Sequence, residues 1–139
     1  MVMPSSVLMS LRPRYADAIL TGEKTVELRR RRPSFPPGTN VLIYSSSPDQ
    51  RVLGSFAAGA VLEGPPADLW PAIRQRAGVS REEFDAYFAG CEIAYAIEVS
   101  NPRRLSPSQL GMRPPQSYLF LRRSHRQHRR LLRLLPQPA

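Results

Sequence analysis

The chain has 139 residues, an apolar fraction of 42% and a net charge of +9, which suit one domain with a buried core and a polyanionic partner. Its single cysteine, Cys91, excludes an internal disulfide framework or a cysteine-based metal site. No run approaches the ~18 apolar residues of a membrane span, and the N-terminus lacks the pattern of a secretory signal. We therefore expect a cytoplasmic, basic protein that does not bind a membrane.

The N-terminal half alternates between strand and helix patterns. Residues Val7–Arg12 are predicted to form a strand, and a short helix is predicted between Pro13 at its first position and Gly22 as its C-terminal cap. From Lys24 the apolar period changes to two residues, which predicts a second strand. Two further strands, bounded by turn residues, are predicted at residues 41–47 and 51–64.

The C-terminal half begins with helical periodicity after Gly64. One helix follows directly, and Ser80 with Glu83 forms a capping-box signature for the next. Strands are predicted at residues 92–100 and 116–123, with an irregular connection at residues 101–115 between them. The apolar positions of the two helices, which we assign to the core, are Trp70, Phe84, Tyr87 and Phe88. The order of elements favours an α+β fold, with a strongly bent sheet or open barrel and helices at one end.

A C-terminal tail, residues 124–139, is distinguished by its charge. From Arg122 onward the chain has six arginines and no acidic residue, whereas the first 121 residues are only mildly basic. We expect residues 1–123 to form the domain and the tail to be a short helix or disordered, so that its removal leaves thermal stability nearly intact. Its leucines favour a second interpretation, in which it docks on the domain or on a partner. The accessory cations for a polyanion are Arg122, Arg123, Arg126, Arg129 and Arg130.

Three motifs together resemble the ASCH domain family. They are the G-x-K-T-x-E-x-R element at residues 22–29, the Tyr-Ser-Ser strand at residues 44–46 and the late sequence "PPQSYLFL", and the resemblance spans roughly Val7 to Arg122. It implies a PUA-like pseudo-barrel of five to six short strands with two to three helices. It also implies nucleic-acid association, usually with RNA, and a pocket for one base or nucleotide. Some members resemble hydrolases or nucleases.

The strand after Lys24 provides the first candidate binding residues. Side chains alternate along a strand, so Val26, Leu28 and Arg30 share one side of it, and Val26 and Leu28 must face the core. The opposite face then presents Thr25, Glu27, Arg29 and Arg31, while Lys24 lies at the rim of a cavity. Cations suit phosphates, and Thr25 or Glu27 suits a base edge. The alternative is that Glu27 only neutralises neighbouring arginines on a solvated face.

Tyr44, Ser45 and Ser46 complete the candidate binding set. The ring of Tyr44 could stack on an unpaired base, or it could be buried in the core with its hydroxyl satisfied. The serines offer small hydrogen-bonding groups near a ligand, or they simply end the strand. The expected partner is RNA in preference to DNA, with a free nucleotide or modified nucleoside as a further candidate ligand.

Catalysis is a second hypothesis. Amidohydrolases of this family that deacylate modified cytidine resemble the chain at Lys24, but their nucleophilic threonine lies three residues later, where this chain has Glu27. Their further glutamate has only Glu63 as a candidate. A ribonuclease could use Lys24, Thr25 and Glu27 as its catalytic residues. No cofactor motif is present, and the two histidines, His125 and His128, make a poor metal site among arginines, so we expect neither a cofactor nor a metal.

Overall fold

The computed structural model describes residues 5–137, which contain six strands and four helices. The strands are β1 (Ser6–Leu11), β2 (Val26–Arg29), β3 (Asn40–Ser45), β4 (Arg51–Gly64), β5 (Ala94–Ser108) and β6 (Tyr118–Phe120). The helices are α1 (Pro13–Thr21), α2 (Pro66–Ile73), α3 (Arg81–Tyr87) and α4 (Arg126–Leu132). None of these helices is long and apolar enough to cross a bilayer.

All six strands belong to one curled sheet with the order β2-β5-β4-β3-β1-β6. Only the β1–β3 pair is parallel, and the other neighbours are antiparallel. Register shifts interrupt the pairing of β4 with both β3 and β5, and such bulges bend strands. Gly54 lies at one of these shifts, where a Cβ would be only 2.5 Å from the Arg103 carbonyl oxygen. The predicted α+β fold with a PUA-like barrel is confirmed.

Helix α1 begins with Pro13 and ends at Gly22, which adopts the left-handed conformation with φ of 89°. Glycine is the residue best suited to that backbone. The chain then reverses, so that the Lys24 amide donates a hydrogen bond to the Ala18 carbonyl oxygen at 3.0 Å. This turn brings Lys24 under α1 just before β2 begins.

Three apolar clusters stabilise the sheet. The first lies between the curled sheet and α1 and includes Ile19 and Phe56. The second lies beneath α2 and α3 and includes Ile73 and Phe84. Val26 belongs to it, as the predicted inward face of β2 requires. The clusters therefore fix both the helix and the strand that flank Lys24.

Strand β5 extends eight residues beyond the predicted end at residue 100. It reaches Ser108 and so includes half of the segment predicted to be irregular. Asn101 has φ of 50°, and the register against β4 shifts nearby, so Pro102 is accommodated where regular pairing is interrupted. The prediction was wrong because bulges carry no periodic sequence signal.

The tail contains the helix α4. A short helix was one of the two structures expected for it, and disorder was the other. Leu131 is fully buried and Leu135 is 3% exposed, both in the third apolar cluster with Leu8 and Leu42 of the sheet. The tail therefore contacts the core, contrary to the premise of the expected tolerance to truncation. Because removal would expose this cluster, we now expect it to lower the melting temperature. The division of the chain at residue 123 stays a prediction.

Candidate functional site

A cavity of about 460 Å³ opens where the end of β1, the start of α1, the strand β2 and the helix α3 meet. Its wall combines cationic, acidic and aromatic side chains with small apolar ones. The polar and aromatic members are Ser10, Arg12, Tyr15, Lys24, Glu27, Arg29, Glu83, Phe84 and Tyr87. A concave site with a few convergent polar groups is the usual form of a small-molecule site.

Lys24 is the largest fully buried side chain among the described residues, with an exposure of 2%. Its Nζ donates a hydrogen bond to the Ala77 carbonyl oxygen and lies 5.1 Å from the centre of the Tyr15 ring. Gly78, with φ of 66°, packs on the lysine stem, where a Cβ would lie 3.0 Å from the Lys24 Cβ. The backbone of the loop after α2, at Ala77 and Gly78, therefore packs closely against the Lys24 side chain.

Burial lowers the pKa of Lys24 below its ordinary value of 10.5, because the charged amine loses its hydration. The carboxylate of Glu27 raises the pKa, whereas the guanidinium groups of Arg14 and Arg29 lower it further. The net effect favours the neutral amine. A lowered pKa makes the neutral amine, the form that can accept a proton from a ligand, easier to reach than in a surface lysine.

Glu27 and Arg29 form an ion pair on the cavity face of β2. Both Nε and Nη2 of Arg29 lie 2.9 Å from Oε2 of Glu27, and their side chains are only 7% and 15% exposed. Arg29 Nη1 also donates to the Ser117 hydroxyl at 2.8 Å. Because Ser117 precedes β6, the pair connects the two edges of the curled sheet. Because its hydrogen bonds to Glu27 and Ser117 fix the Arg29 guanidinium, this group is positioned to bind an anion in the cavity.

The rim is built by the N-terminus of α3 and its last residue. Hydrogen bonds from the Arg14 side chain, and then from the Ser80 amide, hold the pKa of Glu83 down at about 2, so this carboxylate stays ionised. Tyr87 donates its hydroxyl to the Leu28 carbonyl oxygen at 3.2 Å, and burial raises its pKa.

The structure brings together three of the predicted site residues on β2 and the preceding turn: Lys24, Glu27 and Arg29. The Thr25 hydroxyl instead accepts from Arg76 Nε at 3.1 Å. Arg30 contacts Cys91 Sγ at 3.2 Å, and Arg31 is exposed. The arginine run after β2 therefore spreads over the outer surface, outside the cavity wall.

The second predicted motif does not line this cavity, although Tyr44 and Ser45 pair with its lining residues Ser10 and Leu11. Tyr44 is 6% exposed and belongs to the third apolar cluster, as the core interpretation of its ring requires. The Ser45 hydroxyl donates to Asp49 Oδ2 at 2.8 Å, and the Ser46 amide donates to the Leu11 carbonyl oxygen at 2.8 Å. Glu63, the candidate of the amidohydrolase pattern, pairs with Arg32.

Of the polar and aromatic cavity residues, sequence reasoning missed six: Ser10, Arg12, Tyr15, Glu83, Phe84 and Tyr87. Helical periodicity assigned Tyr87 to the core. Tyr87 is in fact 41% exposed, because the end of α3 lies over the opening of the cavity. The capping box identified Glu83 only as a structural residue. Its other partner, Arg14, is 69 positions away in the chain, and no local pattern encodes such a pairing.

Metal-binding geometry is not found in the described part of the chain, where no three His, Cys, Asp or Glu side chains form a suitable group. His125 and His128 stack on each other, with ring centres 3.9 Å apart. His128 Nδ1 accepts a hydrogen bond from the Arg122 amide at 3.0 Å. These two histidines therefore have a structural role at the base of α4.

The curled six-stranded sheet with four helices defines a PUA-like barrel of the α+β class. The model of the ASCH domain matches residues 9–103, which include the second half of β1, β2 to β4 and the whole cavity wall. The chain therefore belongs to the ASCH domain family.

Two relatives from Zymomonas mobilis are similar over nearly the whole chain. The sequence is 32% identical over 128 residues to an ASCH domain-containing ribonuclease, with 86% of each chain covered. The crystal structure of an ASCH protein from the same organism superposes with a TM-score of 0.85 at 31% identity, covering 95% of this chain and 96% of that one. A protein from Enterococcus faecalis shares the fold, with a TM-score of 0.52 at 15% identity over 75% of this chain and 79% of its own.

Proposed function

We propose that this chain is a ribonuclease that binds single-stranded RNA and takes one nucleotide into the cavity. The observation that carries the proposal is the buried Lys24, whose pKa is lowered by burial beside the Glu27–Arg29 ion pair. A buried ionisable group with a perturbed pKa in a concave site is a marker of function. The name of the 32%-identical relative, an ASCH domain-containing ribonuclease, supports the same class of substrate.

The cavity suits a nucleotide in both volume and chemistry. About 460 Å³ lies within the range of ~300–1,000 Å³ that is typical of small-molecule sites. The rings of Tyr15 and Tyr87 offer surfaces on which a base can stack. The Glu27 carboxylate can accept from a base amino group, and Arg29 can donate to a phosphate. Stacking and phosphate contacts do not depend on base identity, so we expect weak sequence preference.

The proposed reaction is transfer of the phosphodiester to the neighbouring ribose hydroxyl. The neutral amine of Lys24 takes the proton of the 2′-hydroxyl as its oxygen bonds to phosphorus. Arg29 stabilises the added negative charge on the phosphorane oxygens, and the bond from phosphorus to the 5′-oxygen breaks. The leaving oxygen takes a proton from water, and the resulting hydroxide removes the proton that Lys24 accepted, which restores the neutral amine. The products are a 2′,3′-cyclic phosphate and a 5′-hydroxyl end, so DNA, which has no 2′-hydroxyl, is not a substrate.

A binding module without catalysis is the second candidate. The Glu27–Arg29 pair favours it, because a guanidinium that is already paired with a carboxylate stabilises added negative charge on a phosphorane less well. The amidohydrolase hypothesis has less support. Thr25 is directed to Arg76, and the candidate Glu63 pairs with Arg32. Neither lines the cavity, and neither joins Lys24 there.

The test compares three fluorescent dodecamers of one sequence: RNA, DNA and RNA with a single 2′-deoxy position. We expect cleavage of the RNA, no cleavage at the 2′-deoxy position and intact DNA, with cyclic phosphate ends identified by mass spectrometry. Binding of the RNA without cleavage would support the binding module instead. Release of acetate from N4-acetylcytidine would support the amidohydrolase. Cleavage of the DNA would contradict the proposed chemistry.

A further inference from the structure

A second, larger groove lies at the opposite end of β1 from the cavity. Its volume is about 620 Å³, and it is enclosed by the starts of β1 and β3, the segment after β6, and α4 with the residues that follow it. Four of its lining residues are arginines, and none is acidic: the four are Arg122, Arg123, Arg129 and Arg133. We call this feature the arginine groove.

The tail is fastened so that these arginines stay around the groove. Leu131 and Leu135 anchor α4 in the third apolar cluster. Arg130 donates to the Leu110 carbonyl oxygen, and Arg103 donates to that of Leu134 at 2.6 Å. The fold therefore uses two other arginines as structural ties and leaves the four groove arginines exposed.

The four groove arginines are not neutralised within the described part of the chain. None of them belongs to the salt bridges found in residues 5–137. Arg129 and Arg133 lie one turn apart at i and i+4, where like charges repel. Clustered positive charge along a concave surface attracts a polyanion and raises its rate of association. The arrangement is costly for the isolated protein, and a bound polyanion relieves that cost.

The edge strand β6 connects the arginine groove to the cavity. It pairs with β1 from Tyr118 opposite Met9 to Phe120 opposite Val7. Ser117, which contacts Arg29, precedes β6, and Arg122 follows it. On β1, Ser6 lines the groove and Ser10 lines the cavity, so the two sites are about 13 Å apart at ~3.3 Å per residue. That distance corresponds to about four nucleotides at the ~3.4 Å axial spacing of a stacked strand.

We propose that the arginine groove binds the phosphodiester backbone of the same single-stranded RNA whose nucleotide occupies the cavity. This inference rests on the proposed function, and it adds a second binding site and a minimum length of RNA. The side chains that line the groove include no aromatic ring other than Phe120, so the contacts are to phosphates and do not select a sequence. A dinucleotide in the cavity cannot reach the groove, whereas a dodecamer can.

The test uses two double variants that remove the same charge. In Arg123→Gln/Arg133→Gln, two groove arginines are lost whose side chains make no hydrogen bonds within residues 5–137. In the control, Arg113→Gln/Arg126→Gln, both arginines are exposed and lie outside the groove. Binding is measured by fluorescence anisotropy with 2′-O-methyl RNA, which cannot be cleaved, as a dinucleotide and as a dodecamer over a series of salt concentrations.

We expect the groove variant to bind the dodecamer more weakly and the dinucleotide as the wild type does. Its slope of log K against log salt should be shallower by about 1.4, because each phosphate contact on a single strand contributes ~0.7. The control variant should change the slope much less. Neither variant should have a lower melting temperature than the wild type.

Equal losses in the two variants, or equal losses for the two RNA lengths, would overturn the groove proposal and leave the ribonuclease proposal standing. The groove proposal would also be overturned if the groove variant lost more affinity for an acidic peptide of matched charge than for the dodecamer. Failure of the wild type to bind either RNA would instead refute the proposed function. Failure of the groove proposal and failure of the proposed function therefore give different binding results.

Discussion

Replacing Lys24 with methionine separates the cost of burying the amine from its contribution to chemistry. Methionine keeps a similar unbranched stem against Gly78 but removes Nζ. The Ala77 carbonyl oxygen then loses its donor, which costs about 1–3 kcal/mol. Removing a buried ammonium group relieves a desolvation penalty of several kcal/mol. Because the second effect is larger, Lys24→Met should raise the free energy of unfolding by about 1–2 kcal/mol at neutral pH.

The sign of this effect should depend on pH. A lysine whose pKa is lowered in the folded state binds fewer protons there than in the unfolded state, so wild-type stability rises with pH between the lowered pKa and 10.5. In that range the Lys24 amine becomes neutral in the folded state. The wild type then no longer has the desolvation penalty of a buried charge but keeps the hydrogen bond to the Ala77 carbonyl oxygen. The advantage of Lys24→Met should therefore shrink, and then reverse, as the pH rises.

Urea denaturation at about pH 7 and about pH 9.5 measures both effects. The control is Arg31→Met, which removes one positive charge from an exposed position and should follow the wild-type pH dependence. The reasoning is refuted if Lys24→Met is less stable than the wild type at pH 7 by several kcal/mol, because Lys24 would then be a structural residue. A pH dependence shared by all three proteins would refute the lowered pKa.

Three further predictions concern the ion pair and the tail. Glu27→Gln should lower the free energy of unfolding by about 1–3 kcal/mol, because Arg29 would keep a hydrogen bond but lose its buried counter-charge; unchanged urea denaturation would contradict this. Leu131→Ala should cost about 2–5 kcal/mol and lower the melting temperature far more than the half-buried control Leu132→Ala; equal small shifts would mean that α4 is not docked. Burial, His125 and Arg122 lower the pKa of His128, so wild-type stability should fall as the pH drops below 6.5. His128→Gln should show a flatter pH profile in thermal denaturation, and a profile as steep as the wild type would assign the loss to other groups.

The order of strands and helices could be predicted because each element has a strong local signal. Pro13 and Gly22 bound α1, and alternation marks the strands up to Ser100. The extension of β5 to Ser108 could not be predicted, since its pairing with β4 depends on bulges that follow from three-dimensional contacts. The docking of α4 could not be predicted either. The leucines of the tail indicate an apolar face, but they do not indicate which surface of the domain that face covers.

The candidate site was predictable only on the strand that carries it. Alternation placed Glu27 and Arg29 on one face and Val26 on the other, as the structure has them. It also placed Thr25 with Glu27, but the loop after α2 brings Arg76 to the Thr25 hydroxyl. Arg14 and Glu83 meet across the cavity rim only after α1 and α3 have packed. Contacts of this kind depend on the tertiary fold and leave no spacing in the sequence.

The most direct measurement is the initial rate of cleavage of a single-stranded RNA dodecamer by the wild type and by Lys24→Met, from about pH 6 to about pH 9. We predict that the wild-type rate rises with pH as the Lys24 amine loses its proton. The Lys24→Met rate should be lower by about 10²–10⁴-fold, the usual contribution of a general base, and should not depend on the same ionisation. Equal rates in the two proteins, or a wild-type preparation that leaves the RNA intact, would contradict the claim that Lys24 acts on RNA in this cavity.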